Sequence, residues 1–182
     1  LTGNIPILSF VVERQSESKK SDTIKTLFKL KDGNFIEGVL MRFKDGRNSV
    51  CVSCQVGCGL KCAFCATGAI GLKRHLSDEE ISDQVLYFNR ILLKEKQKVS
   101  HVVFMGMGEP LLNYDAVMKA IGTLNDPECL GIGARHITVS TSGVVPGIEK
   151  LAGEKIQFNL AVSLHAPNQK LRAQLMPIAV SH

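Results

Sequence analysis

The stretch Cys51-Val-Ser-Cys-Gln-Val-Gly-Cys58-Gly-Leu-Lys-Cys62-Ala-Phe-Cys65-Ala-Thr-Gly68 holds five of the six cysteines in a chain of 182 residues. Three of them follow the spacing Cys58-x3-Cys62-x2-Cys65. Thiolates set this close together on one loop can wrap an iron–sulfur cluster, and they also suit zinc. Ligand count separates the two. A structural zinc site is closed by four ligands, commonly as two short pairs, and no second CxxC or HxxxH follows here. Three thiolates on a four-iron cluster leave one iron open for a further ligand.

Outward from this stretch the hydrophobic period changes. On the N-terminal side Ile24, Thr26, Phe28 and Leu30 alternate with Lys25 and Lys29, the period-two pattern of a half-buried strand. Asp32-Gly33 is a hairpin turn, Phe35–Phe43 the returning strand, and Asp45-Gly46 turns again into a strand over 49–56. Leu1 to Ser21 begins apolar and becomes polar at Gln15-Ser-Glu-Ser-Lys-Lys20, and reads as the tail of a preceding element and a linker. On the C-terminal side Ser77-Asp-Glu-Glu80 forms a capping box. Ile81, Val85, Phe88 and Leu92 then mark the buried stripe of a helix that ends in the Lys-rich segment 94–98. Strands over 99–105, 136–141 and 158–164 alternate with helices over 114–124, 145–152 and 169–175. That alternation implies βαβ units and a parallel sheet, four units if the cysteine-bearing strand is the first.

Composition sets outer bounds. At 45% hydrophobic the chain can build one domain with a real core. It has no apolar run of about 18 residues and no basic-then-apolar leader. Six cysteines clustered in this way suit metal binding or catalysis in a reducing compartment better than a disulfide scaffold. The net charge of +5 permits a nucleic-acid partner without demanding one. Aromatics make up 5% and Trp is absent, so no base-stacking platform is legible. Leu1 and His182 both read as cut ends of a longer protein.

CxxxCxxC with Phe64 before its last cysteine resembles the signature of the radical S-adenosylmethionine (SAM) superfamily. The words CVSCQVGC, GLKR, GMGEPLLN, STSGVVPGI and NLAVSLHAP resemble one branch, the RlmN/Cfr family of RNA adenosine methyltransferases, and the match runs from about Thr23 to the end. The fold this implies is α/β: a partial, truncated radical SAM β/α barrel preceded by a small antiparallel β-sheet. Residues 1–22 would be the linker or tail of a missing N-terminal domain and 23–50 an antiparallel hairpin extension. Residues 51–182 would hold the first four of six β/α units.

The resemblance also implies roles. Cys58, Cys62 and Cys65 would carry a [4Fe–4S] cluster whose open iron chelates SAM, and an electron from the cluster would split the sulfonium bond to give a 5′-deoxyadenosyl radical. Gly108 and Glu109 would bind the SAM amino end; Ser140, Ser163, Leu164 and His165 match positions that contact SAM. Cys51 would resolve a covalent intermediate by pairing with a methyl-carrying cysteine from a region beyond residue 182, and Glu37 would be the general base. Residue by residue the plainer alternatives are a strand-end turn at Glu109, a helix cap at Ser140, a structural histidine at His165 and a solvent-facing carboxylate at Glu37. Cys54 stands where serine is usual, and Cys129 reads as structural. His75, His101, His136 and His182 show no pairing.

The implied substrates are 23S rRNA and tRNA, methylated at adenine C2. The implied setting is a cytoplasmic monomer with no membrane partner and an electron donor such as flavodoxin. Proline in GMGEP favours C2 over the C8 chemistry of the antibiotic-resistance branch, which tends to carry alanine there. A non-enzymatic zinc- or cluster-bearing RNA-binding module is the other rival. Arg42, Lys44, Arg47, Lys61, Lys73 and Arg74 would form a phosphate-binding rim if they converge.

Overall fold

A computed structural model describes residues 8–180. Three antiparallel strands come first: β1 (Phe10–Glu17), β2 (Thr23–Leu30) and β3 (Phe35–Arg42). β4 (Asn48–Cys51) leads to the short β5 (Gln55–Val56), α1 (Ala66–Ile70), β6 (Arg74–His75) and α2 (Asp78–Leu93). There follow β7 (His101–Phe104), α3 (Tyr114–Asn125), β8 (Ile137–Thr141), α4 (Val145–Leu151), β9 (Asn159–Val162) and α5 (Gln169–Leu175). Seven strands make one sheet in the order β1-β2-β3-β4-β7-β8-β9, while β5 and β6 pair separately. β4 is the junction: it runs antiparallel to β3 and parallel to β7, and β8 and β9 continue in parallel. The antiparallel strands therefore join the parallel ones edge to edge in a continuous sheet.

The alternation in β2 and β3 has a direct cause. Phe28, Ile36 and Leu40 are buried on one face against Phe88 of α2, with Phe10 and Tyr87 completing an aromatic cluster. Gly38 leaves the slot for these rings, since a Cβ there would stand 2.8 Å from the Phe28 ring and 3.1 Å from that of Phe88. The helix α2 begins with the expected capping box: the Ser77 hydroxyl accepts from the Glu80 amide and the Glu80 carboxylate accepts from the Ser77 amide.

Two expectations differ from what is found. Within the segment expected as a linker, Phe10–Glu17 forms β1, paired with β2 through a bulge near Val12 and Arg14; residues 1–7 lie outside the described residues. The single strand expected over 49–56 is broken, because the backbone turns out of the sheet at Val52–Cys54. There Gly106 donates to the Val52 carbonyl, and the Cys54 and Gln55 amides both donate to the Met107 carbonyl. The four parallel strands end on one edge with Cys51, Phe104, Thr141 and Val162, the edge where such folds gather their functional loops.

Candidate functional site

Beyond that edge lies a cavity of about 270 Å³. Cys58, Cys62 and Cys65 form part of its wall, together with Gly106, Gly108, Glu109, Ser140, Ser163, His165 and Met176. The three cysteines are free thiols. Burial pushes the thiols of Cys58 and Cys62 upward, and repulsion among the would-be thiolates of Cys58, Cys62 and Cys65 adds to it. A bound cation centre reverses both effects. Among the described residues no three His, Cys, Asp or Glu side chains converge closely enough to grip a single metal ion. Three thiols on one cavity wall are the donor type that an iron–sulfur cluster takes, and the polar groups of the same wall could hold a ligand beside it.

The cysteine loop is fastened at its feet and its tip. At the first foot, the buried Gln84 side chain accepts from the Ser53 amide and donates to the Ser53 carbonyl, both at 2.9 Å. The buried Asn113 amide group spans the two feet, donating to the carbonyls of Cys54 and Leu76 at 2.8 Å each. At the tip, the Ala63 amide donates to the Leu175 carbonyl at the end of α5. Gln84, Asn113, Gln55 and Ser53 were not singled out in the sequence. Only their placement among apolar neighbours would have signalled them, because a buried amide looks like any surface amide in a one-dimensional reading.

Gly106 and Gly108 bring backbone close to backbone. A Cβ on Gly106 would stand 2.6 Å from the Val52 carbonyl oxygen, and one on Gly108 2.6 Å from the Gln55 Cβ, with φ at +106°. Their close approach is thus to the cysteine-bearing segment itself, which locks the GMGEP loop onto it. Glu109 is buried, and both its carboxylate oxygens accept backbone amides: Oε1 from Leu111 at 3.1 Å and Oε2 from Ser142 at 2.8 Å. Its own amide donates to Gln55 Oε1 at 2.8 Å. The strand-end turn and the ligand wall are therefore the same residue.

Ser140 and Ser163 face each other with their hydroxyl oxygens 3.4 Å apart, and His165, in the left-handed region at φ +55°, packs its ring 4.5 Å from that of Phe64. A non-glycine residue held at such a φ beside a cavity is typical of functional sites. Leu164 is 63% exposed and is not part of the wall. Glu37 and Cys51 also lie off the wall. Both sit on the sheet face turned away from α2: Cys51 pairs with Val39, two residues beyond Glu37 on β3, which makes them diagonal neighbours with about 7–8 Å between their backbones. Burial pushes the Cys51 thiol up to about 11, partly offset by a hydrogen bond from the Met105 backbone. Glu37 forms a half-exposed ion pair with Lys25 at 2.7 Å, and its carbonyl accepts from the Ser53 hydroxyl.

The remaining residues fall elsewhere. Cys54 is buried, its thiol is pushed well up by burial, and it donates to the Met107 carbonyl, a task a serine could perform. His75 meets Gln55, and His101 stacks on His136 at the opposite end of the sheet; His182 lies outside the described residues. Three of the six residues expected as a cationic rim are held in ion pairs. Arg42 is paired with Glu95, Arg47 with Asp45, and Arg74 with both Asp32 and Glu80. No described helix is long and apolar enough to cross a membrane.

Comparison with known proteins agrees with this arrangement. Residues 52–179 match the model of the radical SAM superfamily. A "probable dual-specificity RNA methyltransferase RlmN" of Lysinibacillus sphaericus is 54% identical over 94% of this chain and 44% of its own length. A protein of the same name from Thermoanaerobacter sp. is 51% identical over 92% of this chain and 47% of its own. The crystal structure of a radical SAM methyltransferase from Sphaerobacter thermophilus superposes with a TM-score of 0.93 at 47% identity, covering 98% of this chain and 52% of that one. The chain spans about half the length of the curated relatives it matches.

Proposed function

The chain belongs to the radical SAM superfamily, and from that premise we propose that it is the catalytic core of an RNA methyltransferase that modifies C2 of an adenosine in 23S rRNA and tRNA. The observation that carries this reading is one cavity whose wall joins the three thiols of the cysteine loop to the polar ends of β7, β8 and β9, with Glu37 and Cys51 on the adjoining sheet face. Cys58, Cys62 and Cys65 would hold a [4Fe–4S] cluster, and Gly108, Glu109, Ser140, Ser163 and His165 would surround SAM. Bound together, cluster and SAM supply one-electron cleavage of a carbon–sulfur bond. The similarity to proteins named RlmN supports the choice of C2, and proline in GMGEP agrees with it.

The protein's own groups do the rest. Glu37 accepts a proton from the adenine adduct, provided the base comes within hydrogen-bond reach. Cys51 is held as a neutral thiol by burial. Once its proton is removed, its sulfur would attack the sulfur of the methyl-carrying cysteine, forming a disulfide as the carbon–sulfur bond to the adenine adduct breaks and leaves its electron pair on the product carbon. The family route also needs a second thiol to carry the methyl group. Cys129 does not supply it, since it is exposed in the connection before β8, at the strand ends opposite the cavity. Electron supply by a flavodoxin-like donor, a monomeric state and a cytoplasmic setting belong to the same proposal.

Anaerobic reconstitution with iron and sulfide tests it. The protein is expected to turn brown and bind about four irons per chain, and to lose this colour when Cys58, Cys62 or Cys65 is replaced by Ala but not when Cys129 is. With reductant and SAM it is expected to release 5′-deoxyadenosine without methylating RNA by itself. A colourless protein that takes up one zinc overturns the reading in favour of a zinc module.

A further inference from the structure

The three antiparallel strands have one face covered by α2 and one face open. Three rungs of side chains cross the open face: Val11, Lys29 and Phe35; then Arg14, Leu27 and Glu37; then Ser16, Lys25 and Val39. The last rung continues through Val39 to Cys51 on β4, so the open face adjoins the strand that carries the candidate resolving thiol. A shallow hollow of about 300 Å³ lies on it, lined by Arg14, Ser16, Lys25, Leu27 and Glu37. Phe35 is 41% exposed, with the Lys29 ammonium 5.9 Å from its ring centre. Glu37 is neutralised by Lys25, whereas Arg14 and Lys29 enter no ion pair among the described residues.

We propose that a single strand of RNA lies across this open face, one base stacked on Phe35 and its phosphates held by Lys29 and Arg14. The strand then delivers a neighbouring nucleotide to Glu37 and Cys51. Charge complementarity selects the occupant. An apolar protein surface laid here would bury Arg14 and Lys29 without partners, while a polyanion with flat bases satisfies both the cations and the ring. Continuity selects the direction, because the rung that carries Lys25 and Val39 ends at Cys51. This inference rests on the RNA methyltransferase reading and adds the surface that would position the substrate.

The test is fluorescence anisotropy with a labelled RNA stem–loop carrying one unpaired adenosine, titrated at several salt concentrations. Phe35→Ala and Phe35→Leu are expected to weaken binding by about 5- to 150-fold at fixed salt and to leave the salt slope unchanged. Arg14→Ala with Lys29→Ala is expected to lower the log–log salt slope by about 1.4, two lost phosphate contacts at about 0.7 each. Lys119→Ala, exposed on α3, is expected to change neither. Unchanged thermal unfolding and iron loading establish that the variants are folded. If the unaltered protein binds the RNA and all variants bind it equally well, the face belongs to another occupant and this proposal falls, while the methyltransferase reading stands. If the unaltered protein reconstitutes its cluster yet binds no RNA, both fall.

Discussion

At the scale of single residues, Glu109 shows how one carboxylate can organise a site before any ligand arrives. Both of its oxygens face amide N–H groups, one from its own loop and one from the loop after β8. Glu109→Gln keeps the shape but must turn an NH₂ group toward one of those donors, leaving a buried amide without an acceptor. The expected cost is about 1–3 kcal/mol, read as a fall in unfolding temperature of the protein without cofactors. A residue that only met the SAM amino group would leave that temperature unchanged. The same scale shows a packing task for the glycines beside the cavity: Gly106 and Gly108 accommodate Val52 and Gln55. Their neighbours lie about 50 residues away in the sequence, and nothing local marks such a contact.

At the scale of elements, α2 acts as a brace for the cysteine loop. Gln84 projects from its buried face and holds both backbone groups of Ser53, as a neighbouring strand would. Gln84→Ala strands an amide and a carbonyl in a dry interior, and a loss of about 1–3 kcal/mol is expected. Faster amide exchange should be confined to the segment around Ser53 and the base of the cysteine loop, with the outer strands of the sheet unaffected. Element legibility followed burial. β2, β3 and α2 each bury one face and leave the other wet, so their periods could be read. β1 is exposed along nearly its whole length, and it has no hydrophobic period of its own. It is a strand because β2 offers it a hydrogen-bonding edge. The five-residue α1 lacks a side-chain cap and gave no start signal. The grouping of the three thiols on one cavity wall was legible, since their spacing along one loop keeps them together.

At the scale of the whole molecule, Arg74 ties three parts together: the β2–β3 turn through Asp32, its own strand β6, and the start of α2 through Glu80. Its hydrogen bond holds the Asp32 carboxyl well below the usual carboxylate range. A depressed carboxylate contributes stability in full above its unfolded value near 3.8, and that contribution is lost as pH falls through the lower folded value. Asp32→Asn is therefore expected to unfold at a lower temperature than the parent at pH 7. The gap should narrow on acidifying below about pH 3.8 and shrink in high salt, because the pair is partly solvated. Equal melting of the two proteins at pH 7 would deny Arg74 this bracing role.

Because β3 and β4 are adjacent members of one hydrogen-bonded ladder, the candidate proton acceptor and the candidate resolving thiol cannot drift independently. Their separation is fixed by strand spacing, as the rungs of a stair fix the height of a step. Any opening that admits a large polymer must then come from the loops and not from the treads, and a nucleotide has to travel to these two groups rather than they to it.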